Sequence, residues 1–233
     1  DQRMALPACG YCDLYGSCFA ATPGTAGSAM AGGLAVRHSE LRAGQELLRS
    51  DRNRLYVLRY GALKRARYSA RGEEVVAGFH LPGEAVGLAL PYEPAAGEAL
   101  VALKRSGVCE VPWSEVHSLA GADPVIRDAV NDLLRREVAE SRERLLQACR
   151  GSARQRVAGF LLDLLARRER RGCSMATIAL PMGRREIAGY LNLTLETVSR
   201  TLSQLHREAV ITVSGRHVAV CRRAALARTA RGA

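Results

Sequence analysis

Three thiols stand close together near the start of the chain, at Cys9, Cys12 and Cys18 of CGYCDLYGSC. Two thiolates separated by two residues can turn toward one metal centre, and Cys18 can close a third side if the intervening DLYGS bends at Gly16. Thiolates are soft ligands that suit zinc or an iron-sulfur centre, and a Cys-x-x-Cys pair also serves redox exchange. A second set, far along the chain, has different chemistry. Glu196, Ser199 and Arg200 in LTLETVSRTL are spaced i, i+3 and i+4, so on a helix they project from one face near its N-terminal end. Arg can make a bidentate contact to guanine O6 and N7, Glu can accept from cytosine N4, and Ser adapts to either role. Such side chains suit base edges in a major groove, although a Glu and an Arg on an exposed helix also make an ordinary surface ion pair.

The chain that must position them has 233 residues, enough for one large domain or two ordinary ones with real cores and no need of disulfide staples. Its seven cysteines are an odd number, and the first dozen residues, DQRMALPACGYC, lack the basic and then apolar run of a secretory signal. A cytoplasmic chain with reduced thiols is expected. No apolar run approaches the roughly 20 residues that span a bilayer, so no membrane partner is expected. The net charge is +11, and it is unevenly placed: residues 152–233 hold 15 Arg, no Lys and 5 acidic residues, whereas residues 1–151 are within one charge of neutral. A basic module joined to a neutral one is the footprint of polyanion binding. No nucleophile-base pair, phosphate loop or nucleotide fingerprint is visible, and no enzymatic activity is expected.

The element pattern divides the chain into four parts. Residues 1–36 read as a cysteine-bearing arm that ends in the small-residue stretch ATPGTAGSAMAGG. Residues 37–121 show short apolar or alternating runs broken by glycine, which predicts an antiparallel β-roll; the segment Ser69 to Gly72 reads as a hairpin turn with Gly72 free to take positive φ. Residues 122–151 turn helical at Pro124 and continue for about seven turns. On that helix Val130, Leu134, Val138, Ser141 and Leu145 recur at threes and fours, the narrow seam of a helix that pairs with a second copy of itself. Residues 152–233 contain two short helical patterns joined by YLNLT, followed by VITVSGRHVAV. Asn192 suits a left-handed corner, Thr194 is a natural N-cap, and the last stretch reads as a hairpin wing that holds Arg216 near phosphates.

These landmarks resemble the CRP/FNR transcription regulators over nearly the full length. The likeness is carried by LRAGQELLRS, by GEEVVAGFHLPGEAVG, by the long helix and by REIAGYLNLTLETVSRTL. The resemblance implies an α+β architecture: an antiparallel β-roll of the cyclic-nucleotide-binding type, a long dimerisation helix and a C-terminal winged helix-turn-helix. Within the family the chain is most similar to the FNR branch, the fumarate and nitrate reduction regulators. In that branch three N-terminal cysteines, spaced like Cys9, Cys12 and Cys18, hold an oxygen-labile 4Fe-4S cluster with a fourth at the position of Cys109 in SGVCEVPW. The resemblance further implies a homodimer that binds palindromic TTGAT half-sites in double-stranded promoter DNA, read by Glu196, Ser199 and Arg200, with RNA polymerase as the protein partner.

Two residues depart from the branch. Ser17 precedes the third cysteine where the best-known members carry a bulky aliphatic, and Asp13 directly follows the second; both bear on oxygen access and cluster potential. Cys149, Cys173, Cys221 and the five histidines match no ligand position. The cyclic-nucleotide branch neutralises its phosphate with an Arg-Ser pair, yet residues 83–103 contain no Arg or Lys, so cyclic nucleotide is not expected as a ligand. Two other readings are a same-fold regulator with zinc or no cluster, and an iron-sulfur electron carrier, for which a base-reading helix has no use.

Overall fold

The computed structural model describes residues 36–47, 54–69, 71–86, 98–149, 151–170 and 177–232, with residues 98, 140 and 143–149 at the level of the backbone alone. Contacts divide the chain into two compact units, Asp1–Ala139 and Glu140–Ala233.

The first unit is built from two antiparallel sheets. Strands β1 (Arg37–Leu41), β2 (Arg54–Tyr60), β5 (Ala85–Val86) and β7 (Ser106–Pro112) lie in the order β1-β7-β2-β5, and β3 (Leu63–Tyr68), β4 (Glu74–His80) and β6 (Glu98–Ala102) in the order β4-β3-β6. One core joins them: Leu41, Tyr56, Leu58, Val86 and Val108 of the first sheet meet Leu63, Leu100 and Ala102 of the second. Each such aliphatic contributes about 1.5–3 kcal/mol by leaving water. The other face of the first sheet is covered as well. Leu55, Ala85 and Val111 pack with Val116 and Ile126 from two helices, α1 (Trp113–Ala122) and α2 (Pro124–Cys149). Burial on both faces explains why LYVL in β2 is a continuous apolar run rather than an alternating one, with every residue at 1% exposure or less. Gly72 takes φ +78° in the β3-β4 turn, and its N–H donates to the Ser69 carbonyl at 2.9 Å.

The roll, the long helix and the winged module are therefore the architecture found. Between the last strand and the long helix stands α1, which the sequence pattern does not announce. Asp123 is the extended break between the two helices, with φ −123° and ψ 115°, and its carboxylate accepts from the Val125 N–H at 2.8 Å to start α2. α2 has 26 residues, about 39 Å of rise. Its first turns belong to the core, and Arg65 of β3 pairs with Glu137 of α2 at 3.5 Å.

The second unit opens with α3 (Ala153–Glu169), started by a capping box in which the Ser152 hydroxyl accepts from the Gln155 N–H. Its buried Val157, Phe160, Leu161, Leu164 and Leu165 form one wall of the core. Then follow β8 (Thr177–Ala179), α4 (Arg184–Leu191), α5 (Leu195–Arg207), β9 (Ile211–Ser214), β10 (His217–Val220) and α6 (Arg223–Arg231), with the strands paired β8-β10-β9. α6 is a helix that no periodicity in the sequence announces. It packs on α3 through Leu226, which is fully buried, and Arg223 forms an ion pair with Glu169.

Candidate nucleic-acid interface and thiol site

α5 is held in place by the turn that precedes it. α4 stops at Asn192, which adopts φ 51° and ψ 54°, a left-handed corner that Asn tolerates because its short polar side chain bonds locally. The Leu193 N–H donates back to the Ala188 carbonyl at 2.9 Å. From α3, Arg156 reaches across and donates to the carbonyls of Leu191 and Asn192 at 3.2 and 3.3 Å, so a buttress outside the motif fixes the corner. The Thr194 hydroxyl then accepts from the Thr197 N–H at 3.2 Å and caps α5. Buried Val198, Leu202 and Leu205 anchor one face of α5, and the Thr201 hydroxyl turns inward to donate to the Thr197 carbonyl at 2.7 Å.

The opposite face of α5 carries Glu196, Ser199, Arg200, Ser203, Gln204 and Arg207, all exposed. The backbone N–H at Glu196 and the Thr194 hydroxyl hold the Glu196 carboxyl below its ordinary range, with a smaller contribution from Arg200. It is thus an ionised acceptor at the helix N-terminus. The wing turn between β9 and β10 is made by Gly215 at φ 57°, and exposed Arg216 stands at its tip. Its guanidinium donates to the Pro181 carbonyl at 3.4 Å and its own carbonyl accepts from the Leu180 N–H at 2.8 Å. That ties the wing to the chain just ahead of α4, where Arg184 and Arg185 begin the helix. A further tie runs from α5: His206 Nδ1 accepts from the Val213 N–H at 3.2 Å. Arg185, Arg200, Arg207 and Arg216 within this stretch are all exposed. Arg156 and His206 were not singled out from sequence; an Arg or His without a spacing signature gives no hint of which carbonyl or amide it will meet.

Along the expected pairing seam, the side chains have two environments. Val130 packs, with Leu133, against the α1-α2 side of the roll, whereas Leu134 and Val138 are 39% and 51% exposed and Ser141 is half-buried. The side chain of Leu145 lies outside the described residues.

Of the four thiols of the expected site, Cys109 lies among the described residues. Cys109 sits on β7 between both neighbours, in register with His38 of β1 on one side and Val57 of β2 on the other. It is half-buried, and its Sγ lies 3.4 Å from His38 Nδ1. Burial, then the charge of Arg59, keeps His38 below the usual histidine range. One step along the same face, Glu40 accepts from the Tyr60 hydroxyl and from Arg105. Cys9, Cys12 and Cys18, with Asp13 and Ser17, lie outside the described residues. Among the described residues, no three His, Cys, Asp or Glu side chains come together as a metal site.

Comparison with known proteins adds to this geometry. A family model described as the Crp-like helix-turn-helix domain matches residues 155–229, the span from α3 to α6. The fumarate and nitrate reduction regulatory protein of Vibrio cholerae is 31% identical over 192 residues, which are 82% of this chain and 77% of that protein. This chain belongs to the CRP/FNR family of transcription regulators, in its FNR branch. The transcriptional activator protein Anr of Pseudomonas protegens is another relative, 35% identical over 78% of this chain and 75% of its own length. Among solved structures, FixK2 from Bradyrhizobium japonicum superposes with a TM-score of 0.74 at 32% identity, covering 84% of this chain and 98% of that one. CRP/FNR proteins are DNA-binding transcription regulators, and α4 and α5 both lie within the matched helix-turn-helix domain. No helix among the described residues is long and apolar enough to cross a membrane.

Proposed function

We propose that this protein is an oxygen-responsive regulator of promoters, in which a 4Fe-4S cluster held by Cys9, Cys12, Cys18 and Cys109 favours the homodimer that binds DNA under low oxygen. The dimer reads palindromic TTGAT half-sites through Glu196, Ser199 and Arg200, with Thr194 and Arg216 at flanking phosphates, and mainly activates anaerobic genes with RNA polymerase as its partner. The names of its relatives, a fumarate and nitrate reduction regulator and a transcriptional activator, support this reading.

The observation that carries the sensing part is the position of Cys109. It stands on a strand paired on both sides, half-exposed and therefore fixed yet reachable. Cys18 precedes His38, its cross-strand neighbour, by 20 residues, and at about 3.3 Å per extended residue the chain has ample reach to return to that point. Four thiols are the donor set that such a cluster takes. When bound, the cluster supplies a centre that dioxygen can oxidise. The chain does the rest. Three arm thiolates joined to Cys109 pin residues 1–36 to the β1-β7 edge of the roll. Val111, two positions beyond Cys109 and on the same face, packs with Val116, Ile126 and Val130, so a strain at Cys109 reaches the first turns of α2. Release of the arm then disturbs the helix whose exposed Leu134 and Val138 form the seam of the dimer, and the dimer population falls.

The test is an electrophoretic mobility shift on a TTGAT palindrome with anaerobic and air-exposed protein. Anaerobically isolated protein should be brown, contain iron and sulfide, and bind; air should bleach it and weaken binding. A colourless protein that carries zinc and binds equally in both conditions would make it a constitutive regulator. An iron-bearing protein with no DNA binding would make it an electron carrier.

A further inference from the structure

His38 is the residue beside the thiol site that no spacing rule singles out. It is separated from Cys109 by 71 positions in sequence, yet it is the direct partner of Cys109 in the β1-β7 register, with Nδ1 3.4 Å from Sγ. Hydrogen bonds to sulfur are longer than those to oxygen, so this distance is a bond. Across the sheet on the other side, Val57 presents a fully buried aliphatic, so the polar contact across the ladder comes from β1. The pairing of β1 with β7 continues for five residue pairs, which fixes where the imidazole sits.

We infer that His38 is a positioning residue for the Cys109 thiolate, holding its sulfur through an Nδ1–H···Sγ hydrogen bond and thereby slowing loss of the cluster in air. This rests on the cluster reading given above. As a thiol, Cys109 carries its own proton and can donate it to Nδ1. As an iron-bound thiolate it has none, so the bond continues with the ring in the tautomer that carries its proton on Nδ1 and leaves Nε2 as an acceptor. An N–H aimed at sulfur draws off part of the electron density that the sulfur lends to iron. Surrendering an electron to dioxygen becomes harder, because hydrogen bonds to ligand sulfurs raise cluster potentials. The bond also fixes the Cys109 rotamer, as partners of metal ligands generally do.

The experiment uses the full chain, isolated anaerobically, as wild type, His38→Leu and His38→Asn. The Asn amide nitrogen stands near the place of Nδ1 and keeps a donor there; Leu removes it. Iron and sulfide per chain, the midpoint potential and the rate of bleaching in air-saturated buffer are measured for each. Equal iron in all three, wild-type bleaching in His38→Asn, and bleaching on the order of tenfold faster in His38→Leu with a lower midpoint potential are expected. A His38→Leu protein that holds its iron and bleaches at the wild-type rate would overturn the inference. If His38→Leu takes up no iron, His38→Asn is compared with His38→Gln, whose amide lies one bond further out: slower bleaching for Asn than for Gln supports the role of Nδ1, and equal rates reject it. Wild-type protein without iron would fail the cluster reading itself, a result distinct from iron-loaded proteins that do not differ.

Discussion

The two units place their working side chains by opposite means. In the second, Glu196, Ser199 and Arg200 fall within five consecutive residues, and the helical period alone sets them on one face while Val198, Leu202 and Leu205 hold the other. In the first, Cys109 and His38 come from strands 71 residues apart, and only the β1-β7 ladder brings them together. The second arrangement depends on one helix being capped and packed. The first depends on register, because a slip of one residue would turn Cys109 to the opposite face of the sheet. The face of α5 is therefore encoded locally, and the contact between Cys109 and His38 is encoded across the fold.

Substitutions can separate the two means. If four thiolates hold the cluster as proposed, Cys109→Ser removes one of them and should have the largest effect: iron content falls to background and anaerobic binding to the TTGAT palindrome is lost, while the helical signal of the second unit stays. Unchanged anaerobic binding would break the four-thiolate assignment. Arg200→Ala tests the local side. It should relax discrimination at one guanine by about 1–3 kcal/mol in competition binding, whereas an equal loss on all sequences would reassign Arg200 to a phosphate. The smallest effect is expected at Glu208, just past α5, whose carboxyl is hydrogen-bonded by Arg154 and so held below its ordinary 4.5. A carboxyl lowered in the folded state stabilises it above that ordinary value, and the contribution disappears as pH falls through the lowered one. Glu208→Gln should therefore depress the melting temperature slightly at neutral pH and not at all in strong acid. A difference that persists in acid would show that the pair acts through packing rather than charge.

Much of the second unit was legible. Asn192 at the corner, Thr194 as cap, the start of α5 at Leu195 and the wing around Gly215 are all places where one residue type answers one backbone demand. α1 and α6 were not legible. α1 has a single buried residue, Val116, and contains Gly121, and α6 likewise buries Leu226 alone, so neither shows a stripe wide enough to announce a helix. Each is helical because a sheet or another helix offers its one anchor a place. Val130 illustrates the same limit within a correct element. Its spacing aligns it with Leu134 and Val138, yet it packs against the roll while they remain exposed, because a helix that leaves a domain has its first turns covered by that domain.

The sequence by itself determined the β-roll pattern, the long helix, the corner and cap before α5, the basic charge of the last third and the exposed face of α5, since each follows from periodicity, charge or residue type within a short span. The tertiary structure decided which partner each residue meets: Arg156 under the corner, His206 against the wing, His38 beside Cys109. Those meetings depend on strand register and helix packing, in which residues distant along the chain come within reach through the burial of other side chains, and no local pattern records them.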